Sequence, residues 1–260
     1  ADYYFALVRT MARLGAADKR GEFDFFLGEY AWSKGPTMPD SPQVRDMCSA
    51  GVGGMLDAVI DFVKTAAMGL VPAELAQPAF LAELKRQVVT VAPYNASIFV
   101  WQAADPRYIG FAHPNMHIDN GFFWCTRQGT MDVGMLDWCG ASRMPFVAVF
   151  MGCVSGMEPE VLLAHDEGLM RCFAEEYCKC GGPYVDAAEV YTRFKLAYLG
   201  MTLHAMEFVA SGDVYKQGVS KEEWPSIKDR WDERLMGRWE MRCRVSILIN
   251  LIGYWAKRQL

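Results

Sequence analysis

The sequence is sparing in the signals that identify a site at once. It has four histidines in 260 residues and no Cys-x-x-Cys pair. A paired zinc motif is therefore missing. It has no G-x-S-x-G elbow and no G-x-G-x-x-G fingerprint, which removes the usual marks of an α/β hydrolase and a Rossmann domain. No apolar run reaches the roughly 18–20 residues of a membrane-spanning helix. The longest candidate, Val245 to Trp255, is interrupted by Ser246, Asn250 and Gly253. Basic surplus is also lacking: 26 Lys and Arg against 31 Asp and Glu give a net charge of -5. That balance argues against a protein that coats nucleic acid.

What is present describes a folded protein. Apolar residues make up 52% and charged residues 22%, enough to bury a substantial core at this length. Eight cysteines at irregular spacing read as reduced small hydrophobes, which points to a reducing compartment, cytoplasmic or organellar. The chain begins at Ala1 with no charged-then-apolar leader. A removed leader or a fragment would both account for this, and location stays open.

Periodicity predicts helices first. Tyr4, Leu7, Val8, Met11 and Leu14 share a helical face that Gly15 is expected to end. Met55, Val59, Ile60, Val63 and Ala67 mark a second helix, and the stretch from Pro72 or Ala73 to Val88 a third. Ser33 to Pro42 is a predicted loop by its Pro, Gly and Ser content. Residues 96–104 fit a helix or an apolar strand equally well. After Arg107 the texture changes to short apolar runs, 108–112, 121–125 and 133–136, with a polar turn at 126–130. These read as strands and a hairpin. Helical patterning returns from Glu160, broken at Gly181-Gly182-Pro183 and at Gly212-Asp213.

Between the strands lies His113-Pro114-Asn115-Met116-His117-Ile118-Asp119-Asn120, followed by Leu136-Asp137-Trp138 at a strand end. Two imidazoles, two carboxylates and two amides thus fall on loops at strand ends, where polar groups converge. The pattern resembles the aminoglycoside phosphotransferase and choline-kinase-like superfamily, with its protein-kinase-like fold. Its members carry a loop H-G-D-L-H-x-x-N and, about 15–20 residues later, a strand ending in I-D-W or I-D-F. Here His113, His117 and Asn120 fall in register, and Asp137 follows Asn120 by 17 residues. Phe173 to Tyr177, Gly181-Gly182-Pro183 and Val185 to Glu189 resemble the family's later helices, so the likeness covers roughly residues 76–210.

The resemblance implies a mostly helical α+β fold, a kinase-like C-lobe with a small β hairpin region. It makes Asn120 and Asp137 the Mg²⁺ ligands, Mg²⁺ preferring hard oxygen donors, and ATP the nucleotide. It makes His113 a structural residue of the catalytic loop and His117 its support. It also exposes departures. Asn115 stands where the family's catalytic Asp belongs, and an amide cannot accept the substrate proton. Starting the register at His117 would put Asp119 at the base position but Trp124 at the metal position. No Gly-rich strand turn and pairing Lys precede residue 76, so the nucleotide-binding lobe reads as degenerate or missing.

Other readings stay open. His113, His117 and Asp119 could suggest zinc, but no third ligand with metal spacing is apparent and Pro114 interrupts a helix through them. Cys139 lies beside Asp137-Trp138 without an obvious base. Residues 220–260 carry nine Lys or Arg and six Asp or Glu. Ser220 and Glu223 have capping-box spacing, and a helix is expected from Trp239 to Trp255. Its stripes Val245, Leu248, Ile249, Ile252 and Trp255, and Ile247, Leu251 and Tyr254, lie on nearly opposite sides. Such a helix is buried on both sides, centrally in its own domain or with one side on a protein partner.

Three segments follow: 1–75 as a helical N-terminal part, 76–219 as the kinase-like lobe, and 220–260 as helices packing on the lobe or on a partner. The expected function is a catalytically impaired kinase-like binding or accessory subunit of a larger assembly. The alternative is an ATP-dependent phosphotransferase acting on a small-molecule hydroxyl.

Overall fold

A computed structural model describes residues 1–27, 49–216, 219–237 and 239–258. The expected loop from Ser33 to Pro42 lies outside them. The described chain is mostly helical, with two small antiparallel sheets. It divides into two compact units.

The first unit draws its described residues from 1–27 and 97–197. It opens with α1 (Asp2–Lys19) and the short α2 (Asp24–Leu27). α1 runs through Gly15, because that position is a packing site and not a cap. A Cβ there would lie 2.6 Å from the Phe146 ring. In the second unit α3 (Ser49–Asp61) passes into a π-helical turn, Phe62–Ala66, and α4 (Pro78–Val91) starts with proline in its first turn. α5 (Asn95–Ala104) resolves the helix-or-strand ambiguity as helix.

The β island follows. β1 (Ile109–Ala112) pairs with β4 (Ser142–Pro145), and β2 (Gly121–Cys125) pairs with β3 (Met131–Met135). β4 is short and half polar and has no strand signature in the sequence. Arg143 explains it: opposite Phe111, it reaches back to the buried Asp18 of α1 at 2.9 Å from Nε, while Asp18 also accepts the Phe111 N–H at 3.1 Å. One buried carboxylate thus joins α1 to both strands. Behind the island, α6 (Phe146–Val154) and α7 (Pro159–Lys179) bring Phe146, Phe150, Phe173 and Tyr177 into one aromatic cluster.

α8 (Ala187–Ala210) and α5 each contribute residues to both units. Each unit is built from two separated stretches. The second unit, from 49–96 and 198–258 among described residues, adds α9 (Asp213–Lys216), α10 (Glu233–Met236) and α11 (Trp239–Arg258). The Ser220–Glu223 pairing is present, with the Ser220 N–H donating to Glu223 at 2.8 Å, but it leads only into a 3-10 turn, Trp224–Ser226. Pro225 removes the donor that an α-helix would need there.

α11 is buried on both stripes. Leu248, Ile249, Leu251, Ile252, Tyr254 and Trp255 are all in the core. Tyr254 packs on Tyr198 with ring centroids 4.5 Å apart, and the Trp255 Nε1–H donates to Gln87 at 2.6 Å. Of the two expectations for this helix, the central one describes its packing. Ile247 is the one residue of the two stripes that is only partly covered.

Candidate functional site

The loop from His113 to Asn120 leaves β1 and returns into β2. His113 is fully buried, and both its ring nitrogens are engaged by backbone. Nδ1 accepts the Asn115 N–H at 3.2 Å, so Nε2 carries the proton and donates to the Leu136 carbonyl at 2.8 Å. With neither nitrogen available, His113 is a clasp between the loop and the end of β3. Trp138 closes over it, with ring centroids 5.1 Å apart, and stacks on Phe111. The Trp138 Nε1–H donates to the Met135 carbonyl at 3.0 Å.

A second tie lies one residue beyond the ladder. The Leu136 N–H donates to the Asn120 carbonyl at 2.8 Å, which fixes Asn120 beside the residue preceding Asp137. The Asn120 Nδ2 donates to the Asn115 carbonyl at 2.9 Å and lies 3.4 Å from His117 Nε2. A carbonyl only accepts, so the amide nitrogen and not Oδ1 faces Asn115.

Asp137 has φ 54°, the one left-handed non-glycine residue among those described. Aspartate tolerates this region better than most residues, yet it is still an uncommon backbone state. Its exposed carboxylate forms no hydrogen bond or ion pair among the described residues. Backbone strain held at a loop with a free functional group is the pattern of a working site.

His117 is half-buried, and its Nδ1 lies 3.9 Å from the Asp119 carboxylate. Burial pulls its pKa below the usual imidazole value, and His113 adds to that. Asp119 and Asp137 pull the other way. Both carboxylates are therefore within electrostatic reach of this ring. Asn115 is exposed. Its backbone is tied into the loop, while its side-chain amide has no hydrogen-bond partner among the described residues.

The arrangement thus gathers all five sequence-derived residues, His113, Asn115, His117, Asn120 and Asp137, on one loop system. It carries two hard oxygens, Asn120 Oδ1, left by an amide nitrogen that is already committed, and the exposed Asp137 carboxylate. They fit a hard divalent cation such as Mg²⁺ in donor type. Among the described residues no group of three His, Cys, Asp or Glu is placed to hold a metal, so the zinc reading built on His113, His117 and Asp119 finds no support. His113 in particular has no free lone pair for a metal. Cys139 is exposed.

Sequence reasoning missed Gly152 of α6. A Cβ there would lie 2.8 Å from the Pro114 carbonyl, so glycine lets α6 approach the loop from behind. An isolated glycine in the apolar run Phe146–Val154 was the available signal. The Asp18–Arg143 tie had none, since the residues are 125 apart in sequence. A second polar cluster in this unit is structural. Arg193 is buried between the Trp101 and Tyr108 rings and paired with Glu189 at 2.8 Å.

No protein-family model, curated protein or solved structure matches the chain.

Proposed function

We propose that the chain is a kinase-like binding or accessory protein whose site holds a Mg²⁺-bound nucleotide without transferring its phosphate. The observation that carries this reading is the combination at one loop system: two hard oxygens, on the tied Asn120 and the exposed Asp137, and a neutral amide on Asn115. The pair supplies the donors that Mg²⁺ takes. When bound, the ion would neutralise phosphate charge, which is most of what phosphoryl transfer requires beyond positioning. What the loop does not supply is a carboxylate at position 115 to take the proton of an attacking hydroxyl.

His113 does not replace it, because both its nitrogens are committed to backbone. His117 is the remaining base nearby, and its Nε2 faces the Asn120 amide. Partner contacts in an assembly would rest mainly on surfaces other than the two stripes of α11, which are largely buried.

One observation favours the alternative, a phosphotransferase acting on a small-molecule hydroxyl. Asp137 holds an exposed carboxylate without a partner among the described residues on a left-handed backbone position, a kind of backbone state that is often found at functional loops. A turnover assay separates the two. Native protein is expected to form no ADP and no phosphorylated product from ATP across a panel of small hydroxyl compounds, and Asn115→Asp to gain slow turnover. Turnover by the native chain at a rate typical of kinases would overturn the non-transferring reading in favour of the alternative.

A further inference from the structure

We propose that the outward face of the β2–β3 hairpin is a self-association surface whose occupant is a second copy of this chain. Alternation along the strands and their register put Asn120 with Leu136, Phe122 with Gly134 and Trp124 with Asp132 on one face. The opposite face carries Phe123, Val133 and Met135, turned toward α1, where Phe123 meets Tyr3 with ring centroids 4.8 Å apart. Phe122 lies across Gly134, where any Cβ would collide with its ring, and stacks on Trp124 at 5.6 Å. Phe122, Trp124 and Leu136 remain 54%, 43% and 54% exposed. An apolar patch of this size is often functional.

The charge at the two ends of this face selects the occupant. At one end stands Asp119, exposed, with only a 3.9 Å approach from His117. At the other, on the turn beyond Cys125, stands Arg127, exposed and without an ion pair among the described residues. A two-fold axis between Phe122 and Trp124 lays the acidic end of one hairpin against the basic tip of the other, twice, with the aromatic pairs between them. A patch with opposite charges at its two ends is self-complementary in the sense an isologous dimer requires. The exposed apolar area is about 300–400 Å² per copy by ordinary side-chain sizes, well below a standard interface, so the dimer is reversible. This surface does not depend on the nucleotide reading, although its Asn120 edge adjoins that site.

Sedimentation of the full chain over roughly a hundredfold dilution tests it. Native protein is expected to pass from dimer to monomer across the series. Arg127→Glu alone and Asp119→Lys alone are each expected to stay monomeric at the highest concentration, and Trp124→Ala to weaken association at least tenfold. An equimolar mixture of the Arg127→Glu and Asp119→Lys chains restores one inverted and one native ion pair, and is expected to regain the dimer. That rescue also excludes misfolding as the cause of the single-variant loss. Native protein monomeric throughout would overturn the proposal. So would a dimer indifferent to Trp124→Ala, or a mixture that stays monomeric.

Discussion

The β2–β3 hairpin and α11 carry comparable concentrations of aromatic and aliphatic residues, and the fold treats them oppositely. α11 is apolar around most of its circumference and is covered around most of it. Six large side chains between Leu248 and Trp255 lie in the core. The hairpin is apolar on both faces, but only the face carrying Phe123 and Val133 is turned inward. Phe122 and Trp124 stay out. The difference teaches that apolar density does not locate an interaction surface. A helix has a continuous circumference, so neighbours can close on it from several directions. A two-stranded ribbon has two faces, and one layer of helix covers one of them.

The comparison can be broken by paired substitutions. Trp255→Ala removes a fully packed indole and its hydrogen bond to Gln87, and is expected to cost about 3–5 kcal/mol in urea unfolding. Trp124→Ala, on the hairpin, measured at dilutions where the chain is monomeric, is expected to change stability by no more than about 0.5 kcal/mol, the range of ordinary surface substitutions. Equal losses at the two positions would mean that the hairpin face is packed in solution.

A smaller effect sharpens the contrast at the loop. Gly152→Ala places a methyl group against the Pro114 carbonyl. Overpacking there is expected to cost about 1–3 kcal/mol. It should also shift the His113 and Asn120 resonances in an NMR spectrum, because the loop and not the helix must yield. An unchanged loop spectrum would show that α6 does not support the site.

The smallest effect is a pH dependence in the second unit, where α8 meets the α11 side. His204 is half-buried, its Nδ1 has no hydrogen-bond partner among the described residues, and burial, then Arg244, lower its pKa, with Glu207 opposing. Below the ordinary imidazole value near 6.5, the unfolded chain takes up a proton that the folded chain refuses, so the unfolded state binds more protons. Stability is therefore complete above that pH and falls as pH drops toward the depressed folded value. His117 acts in the same direction. Unfolding at about pH 7 and about pH 5 is expected to show this loss, reduced but not abolished in His204→Gln. A profile unaltered by that substitution would place the sensitivity elsewhere.

Much of the helical frame was legible from periodicity, and the hairpin from the polar turn at residues 126–130. The loop that carries the candidate site was legible too, because its unusual residues are contiguous. What stayed hidden depends on distance in sequence. β4 exists because Arg143 meets Asp18, and neither residue announces the other. Gly15 looked like a helix stop because its packing partner, Phe146, lies far along the chain. The run Gly121–Cys125 is apolar on both sides, so alternation could not say which side would remain exposed. The αL state of Asp137 and the tie from the Asn120 amide to the Asn115 carbonyl belong to backbone arrangements that no local pattern encodes.

The most direct test of the site is calorimetric titration of the purified chain with ATP, with and without Mg²⁺, beside Asp137→Ala. Mg²⁺-dependent binding in the native chain that is lost in Asp137→Ala is the expected result. Binding that ignores Mg²⁺ or survives the substitution, or no binding at all, would contradict a nucleotide site built on Asn120 and Asp137.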